Sequence, residues 1–298
     1  MRARWGSLFV TMEVLLSTAP PARAALKPTV TLTEAQVKGA TPQCPADQVL
    51  VEGDYCPAVA QLCKRWRDPH AVVKLQCEEF APSSRCLSKV VHEKFCIDRY
   101  EWPNKKGATP WVAVDWYQAQ DHCYESGKRL CIDREWELAC EGQEKLPYPY
   151  GHSRNNEACN MDNIWRTVDF EAYADPKRRE AEIKKLDQRE SSGSRPSCLT
   201  PFGAYDMAGN VDEWVVNEKG KPFKSGLKGG YWGPVRARCR PMTIIHEEVF
   251  HFYQVGFRCC GDVPGVPRGP KLKGVTVRHS AAPEPSRESV RSPKGNGR

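Results

Sequence analysis

One cysteine lies within a row of arginines in residues 228–241, which read KGGYWGPVRARCRP. Cys239 lies between Arg238 and Arg240, and Arg236 precedes them by two residues. Positive charge next to a thiol lowers the thiol pKa and favours the reactive thiolate. In an oxidising compartment, however, a cysteine is more often half of a disulfide. The residues alone leave both interpretations open, a nucleophile and a structural bridge.

A second candidate site is the run DMAGNVDEW, residues 206–214, in which three carboxylates and an asparagine surround one glycine. Carboxylate and main-chain carbonyl oxygens are the ligands that a hard cation such as Ca²⁺ prefers. A turn followed by a helix N-cap has a similar composition. The run therefore predicts either a calcium site or a capped turn.

Motifs of several other catalytic classes are missing from the sequence. His246 and Glu247 begin like a zinc-protease helix, but Phe250 stands where the second histidine is needed. The chain has no G-x-S-x-G nucleophile elbow, no P-loop and no dinucleotide-binding glycine fingerprint. The common nucleophile and cofactor classes are therefore unsupported.

The cysteine content indicates an oxidising compartment. The 298 residues include 14 cysteines, all between Cys44 and Cys260, and none forms a C-x2-C pair typical of zinc sites. An even, scattered set favours a disulfide framework in an exported protein. Residues 1–24 have early arginines, an apolar run and an A-x-A-like end, which predicts a signal peptide; a disordered start is the alternative. We expect an extracytoplasmic location, periplasmic or secreted.

The charge distribution argues against nucleic acid as a partner. The formal net charge is +7, but the excess lies at the two ends of the chain, in residues 1–24 and 261–298. Residues 25–260 are close to neutral and offer no basic, aromatic-lined patch. No stretch approaches the roughly 20 apolar residues of a membrane span. We therefore expect neither nucleic-acid binding nor a transmembrane segment, and the oligomeric state stays open.

The elements that must position the candidate sites can be read from local signals. Asp115 with Gln118 predicts a capping box that opens a helix closed by Gly127. Asp133 is expected to cap a second helix over 134–140. The charged segment 169–190 has a helix-like stretch without a broad apolar face, which predicts an exposed insertion.

The chain divides by composition into four regions. After the signal peptide, residues 25–94 form a Cys-rich region, and the six cysteines from Cys44 to Cys96 allow fifteen pairings. Residues 95–260 read as one domain rich in Trp, Gly and turns. Residues 261–298 are dominated by Gly, Pro, Ser and charge, which predicts a disordered basic tail.

Six separated segments, taken in order, resemble the formylglycine-generating enzyme family, also called the sulfatase-modifying-factor family. They are GKRLCIDREWELACEG (127–142), YPYG (148–151), ACN (158–160), PFGAYDMAGNVDEW (201–214), KGGYW (228–232) and GFRCC (256–260). The resemblance spans about residues 95–260. It implies an α+β fold, an irregular, disulfide-rich domain similar to C-type lectins.

The resemblance also implies calcium. Carried over from the family, the side chains of Asp206 and Glu213 and the carbonyls of Gly209 and Val211 would bind one ion. A second family site would begin at Asn160, with the carbonyl of Met161, and its other ligands fall in the rewritten region 162–195.

Disulfides follow from the same resemblance. Family members bridge the helix before G-K-R-L to the cysteine after G-F-R, and the E-W-E helix to the arginine-rich segment. These pairs correspond to Cys123–Cys259 and Cys140–Cys239. Cys131 stands at a family proline and, with the vicinal Cys260, suggests an added bridge.

Catalytic family members oxidise a cysteine of an unfolded sulfatase to formylglycine, using oxygen and a copper ion held by a C-x4-C pair. Counted forward from Gly230, that pair falls on Pro234 and Cys239. Counted back from the closing motif, Cys239 lies within one residue of the structural cysteine, so the two counts conflict. Proline has no thiol, so copper is not expected in either alignment, and Cys239 is interpreted as a bridge.

We therefore expect an exported family member without formylglycine-generating activity, acting as a binding or accessory protein, with a protein or peptide partner. Two alternatives stay open, an oxidoreductase with a different constellation and a lectin-like adhesion module. Three alternating arginines would lie on one face of a strand. These arginines, Arg236, Arg238 and Arg240, would line a cleft for an acidic partner together with Trp232. The alternative is that they form a solvated edge.

Overall fold

A computed structural model describes residues 43–70 and 76–266. The strands are β1 (Gln48–Tyr55), β2 (Val59–Trp66), β3 (Cys77–Cys86), β4 (Val91–Asp98), β5 (Arg129–Leu130), β6 (Asp212–Val216), β7 (Ser225–Lys228), β8 (Met242–Thr243), β9 (Val255–Phe257) and β10 (Cys259–Asp262). The helices are α1 (Trp116–Glu125), α2 (Asp133–Glu141), α3 (Phe170–Ala174) and α4 (Arg179–Leu186). The predicted signal peptide and most of the predicted tail, from residue 267 on, lie outside the described residues.

The strands form two four-stranded sheets and one hairpin. Sheet I has the order β1-β4-β10-β5, sheet II has the order β8-β7-β6-β9, and β2 pairs with β3. All pairs are antiparallel except β6 with β9. The mixed sheet-and-helix architecture agrees with the α+β expectation. Among the described residues, no helix is long and apolar enough to cross a membrane.

The Cys-rich N-terminal region contributes directly to sheet I. Its strand β1 pairs with β4 over eight residues, from Gln48 opposite Asp98 to Tyr55 opposite Val91. The expected boundary at residue 94 therefore falls inside β4. Val51 and Phe95, which face each other across this pair, belong to the main hydrophobic core.

The first helix begins as the sequence predicts. Asp115 accepts a hydrogen bond from the Gln118 N–H, the Gln118 side chain bonds back to the Asp115 N–H, and Gly127 follows the helix with a φ of 73°. The expected cap of the second helix is wrong by one position. Ile132 is the N-cap of α2, because the Glu135 carboxylate reaches back to accept from its N–H at 3.1 Å.

Seven disulfides pair all fourteen cysteines. Three connect the Cys-rich region, Cys44–Cys96, Cys56–Cys86 and Cys63–Cys77. Three more tie helices and strands of the main domain, Cys123–Cys259, Cys131–Cys260 and Cys140–Cys239. The first and third are the pairs that the family resemblance implies, and Cys131–Cys260 is the added bridge suggested by the departure from the family proline. The seventh, Cys159–Cys198, has no counterpart in the sequence expectations.

The insertion is not simply exposed, contrary to the sequence prediction. Its two short helices α3 and α4 present charged residues to solvent, but Tyr173 and Leu186 are buried against the body of the protein. The apolar residues come from two helices and a loop, so no single helical face shows them.

Arg258 lies where the chain passes from sheet II to sheet I, between β9 and β10. Its guanidinium donates to both Glu213 carboxylate oxygens at 2.7 and 2.6 Å, and to the Tyr205 carbonyl oxygen at 2.8 Å. A longer bond of 3.3 Å reaches the carbonyl oxygen of Asp98 in sheet I. One buried side chain thus holds both sheets and the loop before residue 206.

We predict that Arg258→Met lowers the free energy of unfolding by about 3–5 kcal/mol, because it leaves Glu213 charged and buried without its partner. Both side chains of the pair are at most 1% exposed. Lys64→Met is the control, since Lys64 pairs with Glu79 at the surface and exposed pairs contribute little. Denaturant unfolding with the disulfides intact measures both variants. Equal losses would show that Arg258 has no special role.

Candidate functional site

The Gly229-Gly230 turn brings the arginine-rich segment back onto itself. Both glycines have positive φ angles, 88° and 74°. A Cβ on Gly230 would come within 2.7 Å of the Ala237 Cα, so only glycine allows this approach. Residues 231–240 form bends rather than a strand, and the expectation of a strand over the arginines is therefore wrong.

Cys239 is a structural cysteine in this fold. It is buried and bonded to Cys140 at the end of α2, and its N–H donates to the Pro147 carbonyl oxygen at 3.0 Å. Because no cysteine of the chain is free, no thiolate is present for Cu(I), which prefers soft sulfur ligands. The side chains at the two expected copper positions, Pro234 and Cys239, therefore do not fit copper.

Two of the three alternating arginines are committed to neighbouring residues. Arg240 forms an ion pair with both carboxylate oxygens of Glu141 and stacks over Tyr55. Arg238 lies over the Phe80 ring at 5.2 Å. Arg236 makes only a long bond of 3.5 Å to Thr243 among those described. The three arginines therefore do not form one row along a cleft.

Trp232 lies in the core rather than in an open cleft. Its side chain is 1% exposed and packs with Tyr231 and Tyr253. The insertion covers this cluster with Tyr173 and Leu186. These aromatic side chains are therefore buried.

The two segments expected to bind calcium lie side by side. Gly209 has a φ of 80°, and a Cβ there would come within 2.2 Å of the Asn160 carbonyl oxygen. The Asn210 N–H donates to that oxygen at 2.8 Å, and the Asn160 side chain donates to the Asn210 side chain at 3.0 Å. Asp206 and Asn210 also have left-handed backbones, with φ near 60°. This tight, irregular loop needs the glycine at 209.

Three buried carboxylates surround the single guanidinium of Arg258. Glu101, Asp206 and Glu213 are each at most 5% exposed. Burial, followed by the nearby charges of Asp206 and Glu213, raises the pKa of Glu101 well above its usual value. Burial likewise raises the pKa of Asp206 to about 6. The cluster therefore carries more acidic groups than its one arginine can neutralise.

Sequence reasoning missed Glu101. It lies in the loop after β4, more than a hundred residues before Asp206, and it accepts hydrogen bonds from Asn210 at 3.0 and 2.9 Å and from Ser192 at 2.9 Å. No local pattern links these positions. Only the pairing of sheet I with the rest of the domain brings them together.

The oxygen atoms of the expected first calcium site are partly occupied by protein donors. The Glu213 carboxylate accepts from Arg258 and, at 2.7 Å, from the Trp136 indole N–H, and Asp206 accepts from the Gly193 N–H at 2.7 Å. Each carboxylate oxygen can accept a hydrogen bond and still bind a cation. The excess of buried acid fits a divalent cation in charge.

The expected second site fits a cation less well. The Asn160 side-chain oxygen accepts from Asn163 at 2.9 Å, its main-chain oxygen accepts from Asn210, and the Met161 side chain is in the core. Among the described residues, no group of three or more His, Cys, Asp or Glu side chains is arranged to hold a metal. A site of two carboxylates and main-chain carbonyls does not require such a group.

Known proteins resemble about half of this chain. "Inactive C-alpha-formylglycine-generating enzyme 2" of Bos taurus is 32% identical over 174 residues, 52% of this chain and 52% of that protein. "Formylglycine-generating enzyme" of Thermomonospora curvata is 24% identical over 163 residues, 51% of this chain and 50% of that protein. The chain thus spans about half the length of these curated relatives.

A solved structure, "Structure of PvdO from Pseudomonas aeruginosa", matches 74% of this chain and 96% of that chain, at 18% identity and a TM-score of 0.43. The family described as "Sulfatase-modifying factor enzyme 1-like domain" matches residues 68–263, more than half of the chain. This protein therefore belongs to the sulfatase-modifying-factor family, that of the formylglycine-generating enzymes.

Proposed function

We propose that this protein is a member of the family without formylglycine-generating activity, and that it acts as a binding or accessory protein. The observation that carries the proposal is the Cys140–Cys239 disulfide. Formylglycine generation in the family needs two cysteines after the Gly-Gly motif as copper ligands. Here one position is Pro234 and the other is bonded in a bridge, so the chain lacks the ligands for that oxidation.

A curated relative supports the same proposal. The Bos taurus protein is named as an inactive formylglycine-generating enzyme, and its 32% identity spans about half of this chain. The relative from Thermomonospora curvata is named "Formylglycine-generating enzyme", without the word inactive. Family membership alone therefore does not decide whether this chain generates formylglycine. The proposal rests on the cysteine positions.

The proposed location is outside the cytoplasm, in the periplasm or secreted. Seven disulfides are typical of proteins that fold in an oxidising compartment. The sequence of residues 1–24 supports export by its resemblance to a signal peptide. We propose a protein or peptide partner there, bound by a C-type-lectin-like domain.

We predict that the purified protein does not convert the cysteine of a sulfatase-derived peptide to formylglycine when copper, oxygen and a thiol reductant are supplied. Mass spectrometry of the peptide measures conversion, and the Thermomonospora curvata enzyme is the positive control. Cys140→Ala, which frees Cys239, should be equally inactive because one thiol does not replace two. Conversion by either form would refute the proposal, and conversion by Cys140→Ala alone would identify Cys239 as a masked nucleophile.

A calcium ion is the second part of the proposal. We propose that Asp206 and Glu213, with the carbonyl oxygens of Gly209 and Val211, hold the ion. Support comes from the buried acid in excess of Arg258 and from the left-handed backbone at 206 and 210. The ion would neutralise the carboxylates and fix the loop, a structural role.

We predict that calcium raises the thermal midpoint of unfolding relative to chelator-treated protein. At a free concentration a hundredfold above Kd, binding to the folded state adds about 2.7 kcal/mol. Asp206→Asn should weaken this response, because it removes one charge from the site. Glu171→Gln, at an exposed position of α3, is the matched control and should respond like the unaltered protein. Identical midpoints with calcium and with chelator would exclude the site.

A further inference from the structure

Arg238 is a half-buried arginine without an acidic partner. Its Nη1 group donates to the Gln61 side-chain oxygen at 3.2 Å, and its guanidinium lies over the Phe80 ring at 5.2 Å. Its Nε–H is buried and has no hydrogen-bond acceptor among the described residues. Within residues 43–70 and 76–266, no carboxylate forms an ion pair with this side chain. A charge that is taken out of water is normally paired with an opposite one, so Arg238 is an exception.

The charges around Arg238 are positive as well. Burial lowers the pKa of its guanidinium, Tyr148 opposes this effect, and the nearby charges of Arg236 and Arg154 lower the pKa further. None of the acidic residues that the structure describes contributes to the shift. The surroundings of Arg238 therefore favour the approach of an anion.

The acid bound to Arg154 does not compensate Arg238. Arg154 donates to the two carboxylate oxygens of Asp162 at 2.7 and 2.8 Å. Arg67 forms an ion pair with the same carboxylate. One acid thus serves two other arginines, and the charge of Arg238 is left unbalanced.

Arg236 also has no ion pair in the part of the chain that the structure describes. Its long bond of 3.5 Å leads to the neutral hydroxyl of Thr243. Burial raises the pKa of Asp212 to about 7, and the nearby charge of Arg236 opposes that shift without an ion pair between the two. Arg236 and Arg238 therefore supply two positive charges that no ion pair neutralises.

One edge of the Arg238 guanidinium has the geometry of an oxyanion site. Nε–H and the adjacent N–H of Nη2 point the same way along this edge, whereas Nη1, on the other edge, bonds to Gln61. Two parallel N–H groups of an arginine bind two oxygens of one phosphate or carboxylate. The combined charge of Arg236 and Arg238 matches a doubly charged anion better than a singly charged one.

The neighbours of Arg238 are held in place independently of any ligand. The next residue, Cys239, is bonded to Cys140 at the end of α2. The Cys63–Cys77 disulfide joins β2 to β3, the two strands that carry the contacts of Arg238. A site on rigid elements loses little conformational freedom when it binds a ligand.

We propose that Arg238, with the nearby Arg236, binds a doubly charged tetrahedral oxyanion, either a free phosphate or sulfate ion or a phosphate monoester of a larger molecule. Nε and Nη2 of Arg238 hold two oxygens of the anion, and Arg236 supplies the second positive charge. Gln61 lies before residues 68–263, which match the family, so the site uses a contact outside the family domain. It requires neither calcium nor the absence of formylglycine-generating activity.

Titration of the exported protein, labelled with 15N-arginine, with inorganic phosphate tests the site by NMR. The Nε–H signal of Arg238, assigned by its absence in Arg238→Met, should shift and saturate. Sulfate should act likewise, and acetate at equal ionic strength should bind more weakly because it carries one charge. An unshifted signal, or equally tight binding of acetate, would overturn the proposal.

Variants separate this site from a general attraction of anions, with calorimetric titration as the measurement. Arg238→Met should abolish phosphate binding, and Arg236→Met should weaken it roughly tenfold, as expected when one charged contact is lost. Arg238→Lys keeps the charge but lacks the paired N–H groups, so it should bind more weakly. Arg65→Met is the matched control and should bind like the unaltered protein, because Arg65 is exposed and pairs with Glu78 at 2.9 Å.

Two outcomes among the variants contradict the site. Equal weakening by Arg65→Met would show that the anion is attracted by the overall charge. Unaltered affinity in Arg238→Lys would show that the paired N–H groups are not used, and this result is available even if Arg238→Met does not fold. Methyl phosphate then distinguishes the source of the anion. Tighter binding than that of inorganic phosphate assigns the site to a phosphate monoester, and weaker binding assigns it to the free ion.

Discussion

The passage of the chain from one sheet to the other at Arg258 is the constraint on which the rest of the domain depends. The residue before it ends β9 in sheet II, and the residue after it begins β10 in sheet I. The buried positive charge of Arg258 requires an acidic partner. Glu213 of β6 is that partner and accepts two hydrogen bonds from the guanidinium. The adjacent Cys259 and Cys260 then bond to Cys123 and Cys131, which fixes the crossing covalently.

That crossing also determines the electrostatics of the candidate calcium site. Glu213 stabilises the fold and is also an expected calcium ligand. Its carboxylate binds Arg258 and the Trp136 indole N–H and lies beside Asp206 and Glu101. One guanidinium cannot neutralise three buried carboxylates. Burial, and after it the nearby acidic charges, raises the pKa of Glu101 and of Asp206. A divalent cation at this point would offset the excess acidic charge, which connects the fold to the calcium proposal.

Local signals and ordered motifs made part of this structure predictable. The Asp115–Gln118 capping box is a short-range pattern, and the motif order was sufficient to identify the family. Contacts between distant segments were not readable in this way. Glu101 meets Asp206 only through folding, and the Cys159–Cys198 bridge joins two segments that lie 39 residues apart in the sequence. Trp232 was expected in a cleft with the alternating arginines. Its cover was not readable, because Leu186 lies on a short helix without a broad apolar face.

The central claim is that Cys239 stabilises the fold and does not take part in chemistry. Peptide mapping under non-reducing conditions, on protein exported to an oxidising compartment and alkylated in the native state, tests it most directly. We predict a Cys239 peptide linked to the Cys140 peptide, and no alkylated cysteine. Alkylation of Cys239 in the native protein would contradict this claim and favour the oxidoreductase alternative.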